Sequence, residues 1–204
     1  MYIIQGIHFN EIKIKGSLFK ILSYETENLK NIKKILSKLE KNYSDSSHIC
    51  YSYRICNIKQ LDLFYDPEII EFSTDDGEPP GTAGKPILNI LKKYNIINRT
   101  IFVIRYFGGT KLGIPGLINA YKKSAELILK NLPKNKWISY KELKFEIDYN
   151  YLKVIKKIAQ KYNGDIKKSE FSDKIKLEIN FPLKNMEIIK NEVKEKGNGR
   201  VKLF

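Results

Sequence analysis

Residues 72–86 read FSTDDGEPPGTAGKP, and a second glycine-rich stretch, RYFGGTKLGIPG, follows at residues 105–116. The first stretch holds three carboxylates, three glycines and three prolines in fifteen positions, which makes it too rigid for a spacer and too polar for a core element. The second stretch begins at the end of the most apolar run of the chain, RTIFVIRYF at residues 99–107, which predicts a central strand buried on both faces. We expect the two stretches to face each other as one surface.

The carboxylates of the first stretch allow two interpretations. Asp75, Asp76 and Glu78 would hold a hard cation such as Mg²⁺ or divide acid and base roles. Alternatively they build a structural turn, because Asp-Gly is good turn chemistry and an aspartate side chain bonds nearby backbone N–H groups. Turn chemistry alone favours the structural interpretation.

The continuation GTAGKP, residues 81–86, leads into a predicted helix. Small residues let a ligand approach the backbone, the helix N-terminus offers free N–H groups, and Lys85 adds a positive charge. A nucleotide-binding P-loop is excluded, because only two residues separate Gly81 from Gly84 and Pro86 stands where a hydroxyl is needed. Anion binding remains an alternative to a purely structural role.

The second stretch places Arg105 at the end of the apolar strand, followed by a glycine loop that carries Lys111. A glycine loop between a strand and a helix either receives phosphate or supplies positive φ where elements pack closely. The dinucleotide pattern G-x-G-x-x-G is absent. A buried arginine needs a partner, and we expect a carboxylate of the turn at residues 75–78 to provide it.

The cysteines and histidines suggest little chemistry. Cys50 and Cys56 are too few for a disulfide framework and would lie about 20 Å apart on one strand. His48 precedes Cys50 by two residues, about 7 Å along a strand, so a structural histidine is expected rather than a catalytic pair. Two histidines make no convincing zinc site.

Hydrophobic periodicity predicts the elements of the first half. We expect a helix from Thr26, which would be its N-cap, and a short helix at residues 86–94 with Pro86 near its first position. Strands are predicted at residues 17–25, 48–56 and 99–107. A glycine loop is predicted at residues 107–116, and a helix at residues 117–129 that is broken at Pro133.

The second half is more regular. Strands are predicted at residues 138–148, 165–172, 173–181 and 200–204, and helices at residues 151–163 and 183–196. The order βαββαβ is the ferredoxin-like arrangement. The sequence therefore predicts an α+β protein with an N-terminal domain at residues 1–133 and a C-terminal domain at residues 134–204.

Charge gives the clearest indication of partners. The chain carries 37 Lys+Arg against 23 Asp+Glu, a net charge of +14, with an excess of +6 before Pro133 and +8 after it. Such an excess attracts phosphate backbones, although composition bias towards lysine is an alternative source, and base readout usually uses arginine. RNA or the ribosome is the expected partner, with DNA the less favoured one. No signal peptide or membrane-length apolar run is present, and a cytoplasmic location is expected.

The combined motifs resemble the IMPACT family, specifically its two-domain bacterial YigZ-like members. The matching pieces are the His-x-Cys strand at residues 48–50, SxDDGEPxGTAGxP at residues 73–86, the strand ending RYFGG at residues 103–109, and KLGxxGLxxAY at residues 111–121. Two departures occur: Pro80 replaces a small residue, and Ile114-Pro115 stand where a small residue and a glycine are usual.

The resemblance implies an N-terminal βαβ domain like domain IV of elongation factor G, shared with a small-subunit ribosomal protein, and a C-terminal domain like domain V of that factor. It implies a translation-linked regulator that binds RNA or the ribosome, or a protein partner as the eukaryotic relatives do. The resemblance assigns no catalytic residue to this sequence.

The sequence favours an RNA- or ribosome-binding protein without catalysis. The alternatives are a protein-binding adaptor and, after it, an enzyme or metal- or phosphate-binding protein that uses the two stretches. Tyr140, Phe145 and Tyr149 would stack on bases in the first, although core packing is expected for at least two of them. No cofactor is expected, with Mg²⁺ as the alternative. The candidate surface consists of Asp75, Asp76, Gly77, Glu78, Gly81, Thr82, Gly84, Lys85, Arg105, Tyr106, Gly108, Gly109, Lys111 and Gly113.

Overall fold

A computed structural model describes residues 1–57, 68–197 and 201–203. Within them the chain forms two compact units, one from residues in the range 1–137 and one from residues in the range 138–203. Sequence patterning placed the boundary at Pro133. The short strand at Asn135–Lys136 pairs with Tyr2–Ile3, so these residues belong to the first unit.

The described elements of the first unit alternate between strands and helices. They are β1 (Tyr2–Ile3), β2 (Ile7–Ile14), β3 (Ser17–Glu25), α1 (Leu29–Asn42), β4 (His48–Cys56), β5 (Ile69–Thr74), α2 (Gly84–Lys93), β6 (Arg99–Tyr106), α3 (Gly113–Leu129) and β7 (Asn135–Lys136).

The main sheet of this unit has five antiparallel-paired strands in the order β2-β3-β6-β4-β5. Since β6 is antiparallel to both β3 and β4, those two strands are parallel and β3–α1–β4 is a split βαβ unit. The same holds for β5–α2–β6, with β4 between its strands. The predicted central position of β6 is confirmed, because seven of its eight residues are buried.

The sheet is covered on both faces. On one face, α2 and α3 pack over Phe19, Ile21, Cys50, Ile101 and Val103. On the other face, apolar residues of α1 such as Ile32 and Leu39 pack with Leu22, Phe102 and Ile104. Alternate residues of β3 and β6 thus belong to different cores, as the period-two geometry of a strand requires.

Three local predictions for the first unit were wrong. The cap of α1 is Asn28, whose side chain accepts the Asn31 N–H, whereas Thr26 is buried and bonds through its hydroxyl to that of Thr100 at 2.7 Å. The predicted loop at residues 107–116 ends earlier, because α3 already begins at Gly113. Pro115 lies in its first turn, where a missing N–H costs nothing. Helix α2 also begins two residues before Pro86.

The second unit has the ferredoxin-like order that the sequence predicts. Its elements are β8 (Tyr140–Ile147), α4 (Leu152–Lys161), β9 (Asp165–Phe171), β10 (Ile175–Pro182), α5 (Met186–Gly197) and β11 (Lys202–Leu203), with short 3₁₀ turns at Tyr149–Tyr151 and Leu183–Asn185. The sheet order is β11-β8-β10-β9, with every neighbour antiparallel.

The core of the second unit lies between one sheet face and the two helices. Phe145 is buried there, so the expected core packing applies to this aromatic residue alone. Tyr140 and Tyr149 are exposed, because Tyr140 begins β8 and Tyr149 lies in a 3₁₀ turn. No helix within the described ranges is both long and apolar enough to span a bilayer.

Candidate functional site

Asp75 binds the start of α2. One carboxylate oxygen accepts the N–H of Gly81 at 2.8 Å, and the other accepts those of Ala83 and Gly84, each at 2.9 Å. Burial alone would raise the pKa of the Asp75 carboxyl, but the three hydrogen bonds from backbone N–H groups lower this pKa below its ordinary value. The N–H groups at the start of α2, which the sequence offers to an external anion, are therefore occupied by the Asp75 side chain.

Asp76 fixes the turn to strand β4. Its Oδ2 accepts the N–H of Ile49 at 2.6 Å, and its backbone carbonyl lies 2.7 Å from Nδ1 of His48. A carbonyl can only accept, so Nδ1 of His48 must carry the proton in this contact. Asp76 adopts a φ of 44°, next to Gly77 at 82°, which reverses the chain tightly. The turn thus holds the imidazole of His48 through Nδ1, and the structural role expected for this histidine stays a prediction.

Glu78 lies under the turn in a buried polar cluster. Its Oε1 accepts a 2.6 Å hydrogen bond from Nη1 of Arg105 and a 2.7 Å bond from the hydroxyl of Tyr121. Arg105 also contacts Oγ of Ser17 at 3.3 Å and lies over the ring of Phe19. The prediction that a carboxylate of the turn pairs with Arg105 is confirmed, and the carboxylate is Glu78.

Cys50 closes the same cluster from strand β4. Its thiol contacts the carbonyl of Asp75 at 3.0 Å and the hydroxyl of Tyr121 at 3.3 Å. Burial raises the pKa of this thiol far above its ordinary range, and the nearby carboxylates add to the effect. Since the thiolate is the reactive form, the geometry gives no support to a cysteine nucleophile.

Two glycines of the motifs lie where a side chain has no room. A Cβ at Gly84 would come within 2.6 Å of the backbone of Thr74, and one at Gly108 would lie 1.9 Å from the carbonyl carbon of Gly16. The motif glycines with positive φ are Gly77, Gly81, Gly109 and Gly113.

Of the remaining candidate residues, Thr82 and Tyr106 make hydrogen bonds within the first unit, and two lysines are exposed. The Thr82 hydroxyl donates to the Pro79 carbonyl at 2.7 Å, and the Tyr106 hydroxyl donates to Asp45 at 2.9 Å. Lys85 and Lys111 are exposed. The candidate residues of the two stretches therefore do not all lie on one continuous surface.

Two separate depressions carry these lysines. Lys111 lines a cleft of about 280 Å³ together with Glu78, Arg105 and apolar residues of the loop and of α3. Lys85 lines a different groove of about 380 Å³ with Lys93 and Lys122. Contact between the 75–78 turn and the RYFGG stretch is made through Glu78 and Arg105, whereas Lys85 lies apart from it.

The carboxylates of the turn do not converge on a cation position. Asp75 accepts N–H groups at the start of α2, Asp76 accepts one from β4, and Glu78 accepts one from Arg105. Among the residues that the structure describes, no group of three His, Cys, Asp or Glu side chains is arranged to hold a metal ion.

Two residues of structural importance were missed. Tyr121 joins Glu78 to Cys50, and the only sequence signal was its place at the end of the second motif. Arg99 is fully buried and donates to the hydroxyl and carbonyl of Ser23 and to the carbonyls of Ile4 and Gly6. Burial lowers the pKa of Arg99 to about 10. The apolar run that it opens gave no sign of these partners.

The structure is a two-domain α+β protein. In its first domain, the carboxylates of the turn at residues 75–78 (the carboxylate turn) hydrogen-bond to α2, β4 and Arg105. A family model for the Impact N-terminal domain matches residues 15–129. An IMPACT family member of Haemophilus influenzae is 30% identical over 94% of this chain and 89% of its own length. The IMPACT family member YigZ of Escherichia coli is 28% identical over 83% of this chain and 80% of its own. The chain therefore belongs to the IMPACT family, as its motifs predict.

A solved structure supports the fold. The crystal structure of a hypothetical protein superposes on the whole chain with a TM-score of 0.67 and 24% identity, covering 95% of that protein. At this level of identity the likeness concerns the fold alone.

Proposed function

We propose that this protein binds RNA, free or within the ribosome, through its positive surface, and that it acts on translation without catalysis. The observation that carries the proposal is a row of lysines on α1. Lys30, Lys33, Lys34, Lys38 and Lys41 are all exposed.

The lysines of α1 form a continuous stripe. At 100° per residue they fall within an arc of about 140°, and the helix rise spreads them over about 17 Å. Ile32 and Leu39, which are buried against the sheet, lie on the opposite side of the helix. Glu40 is the one acidic residue of α1, and no ion pair involves the five lysines among the described residues. Such a stripe can track a phosphate backbone.

The state of the motif carboxylates argues in the same direction. An acid–base or metal role needs carboxylates that can exchange protons or ligands with a substrate. Asp75 and Glu78 instead satisfy a helix N-terminus and a buried arginine, so the turn stabilises the domain. The exposed positive charge, in contrast, is available to a partner.

Salt dependence of RNA binding tests the proposal. Dissociation constants for ribosomal RNA would be measured at a series of KCl concentrations for the wild type and for a variant with all five α1 lysines replaced by glutamine. Each neutralised phosphate adds roughly 0.7–0.9 to the log–log slope, so a variant without five lysines should lose about 3.5–4.5 units of slope and bind more weakly. Glutamine keeps helix propensity close to that of lysine.

A matched control separates the stripe from net charge. Lys144, Lys167, Lys168, Lys174 and Lys202 are each paired with a carboxylate in the second unit, and their replacement by glutamine removes the same total charge. We expect this control to bind nearly as the wild type does. A wild-type slope near zero would contradict the proposal, and duplex DNA of equal length should compete less well than RNA.

The motif lysines provide a second location to test. Lys85→Gln with Lys111→Gln removes the two exposed cations of the candidate surface. If this double variant loses ribosome co-sedimentation while the α1 variant retains it, the RNA surface lies at the motif face and not on α1.

A protein-binding adaptor is a second candidate. Edge strand β2 exposes Ile7 and Phe9 by 67% and 56%, beside a groove of about 550 Å³ that Lys34 and Lys38 help to line. An apolar edge of this kind suits an added strand from a partner. Phe9→Ser should weaken capture of a protein partner and leave RNA binding unchanged.

A further inference from the structure

We infer that α4 is a second RNA-contact surface, so that each domain holds the phosphate backbone with a lysine-striped helix of its own. The inference rests on the proposed function and names a site in the second domain. Helices α1 and α4 lie in different units and share a sequence pattern. Residues 29–38 read LKNIKKILSK and residues 152–161 read LKVIKKIAQK, which are identical at seven of ten positions.

The shared lysines are exposed in both helices, and the first shared isoleucine, Ile32 or Ile155, is buried in both. Ile155 and Ile158 of α4 are buried against the second sheet. Lys153, Lys156, Lys157 and Lys161 are exposed, at the offsets that Lys30, Lys33, Lys34 and Lys38 have in α1. Since offsets of three and four residues share one helix face, α4 presents a stripe of the same form. It carries no acidic residue.

One of the four lysines is already engaged. Nζ of Lys161 lies 2.7 Å from Oε2 of Glu192, which Tyr162 and Lys196 also contact. The hydrogen bonds from Lys161, Lys196 and Tyr162 lower the pKa of Glu192 to about 2, so this carboxylate stays charged and keeps Lys161 neutralised. Lys153, Lys156 and Lys157 are the cations left for phosphate.

The open sheet face of the second unit does not offer an alternative surface for RNA. In the register of the sheet, lysines face glutamates across the strands: Lys144 and Lys168 lie opposite Glu178, and Lys176 lies opposite Glu146 and Glu170. Opposite charges at these positions attract each other, and the face has little net charge to attract a polyanion.

Helix α5 does not provide the excess charge either. Its three lysines, Lys190, Lys194 and Lys196, are matched by Glu187, Glu192 and Glu195. The excess positive charge of the second half is therefore best exposed on α4.

Two binding helices on one chain have a measurable consequence. Once one domain is bound, the other is held near the same RNA at a high effective concentration, so the whole protein binds more tightly than either domain could. This effect does not depend on a fixed arrangement of the two domains, provided that the RNA is long enough for both to contact it. The contributions of the two helices should then be similar and both measurable.

The test uses matched triple variants of the full chain. One replaces Lys153, Lys156 and Lys157 by glutamine, a second replaces Lys30, Lys33 and Lys34, and a third combines all six changes. A control replaces Lys167, Lys168 and Lys174, which are ion-paired on the second unit. Dissociation constants for a ribosomal RNA fragment are measured against KCl concentration. Circular dichroism and thermal melts show that each variant is folded, which is expected because the changed side chains are exposed.

We expect the α4 and α1 triple variants each to lose roughly two to three units of log–log slope, and the combined variant to lose about the sum. If the α4 variant binds as the control does while the α1 variant is weakened, the inference is wrong and the proposed function stands. If the wild type itself shows no salt-dependent binding, the proposed function fails and the inference fails with it.

Discussion

Nη1 of Arg105 donates a 2.6 Å hydrogen bond to Oε1 of Glu78, and the two side chains are only 7% and 3% exposed. Arg105 lies near the end of the central strand β6, whereas Glu78 belongs to the turn before α2. The pair therefore ties the carboxylate turn to the centre of the sheet. Buried pairs of this kind give strong penalties when one partner is removed, because the other charge is left without compensation.

Glu78→Gln should therefore lower the free energy of unfolding by about 3–5 kcal/mol. Urea denaturation at pH 7 measures the change. Glu126→Gln is the control, because Glu126 pairs with Lys93 on the surface and its loss should cost no more than about 1 kcal/mol. Equal costs for the two substitutions would mean that the buried pair does not stabilise the domain.

Asp75→Asn should destabilise the protein in a pH-dependent way. The lowered pKa of Asp75 means that its ionised form stabilises the fold at neutral pH, above the ordinary aspartate pKa. That contribution is lost as the pH falls through the lowered pKa of the folded state. We expect wild type and variant to differ by about 1–2 kcal/mol at pH 7 and to converge as the pH falls through the lowered pKa of Asp75.

Denaturation curves of both proteins at several pH values provide the test of Asp75. Asp45→Asn is a suitable control, because Asp45 accepts one bond from Tyr106 and caps no helix. A wild-type-to-variant difference that stays constant from pH 7 to pH 3 would show that the charge of Asp75 does not act on the α2 amides.

Gly84→Ala and Gly81→Ala should destabilise the domain for different reasons. A Cβ at Gly84 would press into the backbone of Thr74, so overpacking of about 3 kcal/mol is expected. Gly81 has nothing within 4 Å of its added Cβ, but its φ is +78°, which costs about 1–2 kcal/mol for alanine.

Asparagine separates the two effects. Because asparagine tolerates the left-handed region, Gly81→Asn should recover part of the stability lost in Gly81→Ala. Gly84→Asn should be worse than Gly84→Ala, since its side chain is larger. Thermal melts of the four variants measure this, and a rescue by asparagine at residue 84 would contradict the crowding that the structure describes.

Some of the fold could be predicted because its signals are local. Strands β3 and β4 have the predicted bounds, since apolar patterning and turn residues define both ends. No element was predicted before residue 17, although β2 alternates in burial along its length. Its alternate residues range from half-buried to exposed, so the contrast in polarity between its two faces is weak.

The site shows the same division between local and tertiary information. A buried arginine needs hydrogen-bond acceptors, and the turn carries three carboxylates, so pairing of Arg105 with the turn could be predicted. Which carboxylate it takes depends on the path of the chain between β5 and α2, where Asp75 turns to the helix amides and Asp76 to Ile49. The charge of the chain indicated a polyanion partner, and the apolar spacing of α1 predicts charge on its outer face; the structure adds which lysines are exposed there and without an ion pair among the described residues.

The buried thiols should be unreactive in the native protein. Burial raises the pKa of Cys56 to about 11 and that of Cys50 further still, and both side chains are enclosed. Alkylation by iodoacetamide at pH 8 should therefore be at least about a hundredfold slower in native protein than in guanidinium chloride, where both cysteines react. Mass spectrometry of labelled peptides assigns the modified residue. Rapid native labelling of Cys50 would indicate an accessible thiolate and would favour the enzymatic hypothesis. Labelling only after unfolding would support a structural role for Cys50 in the Glu78–Tyr121 cluster.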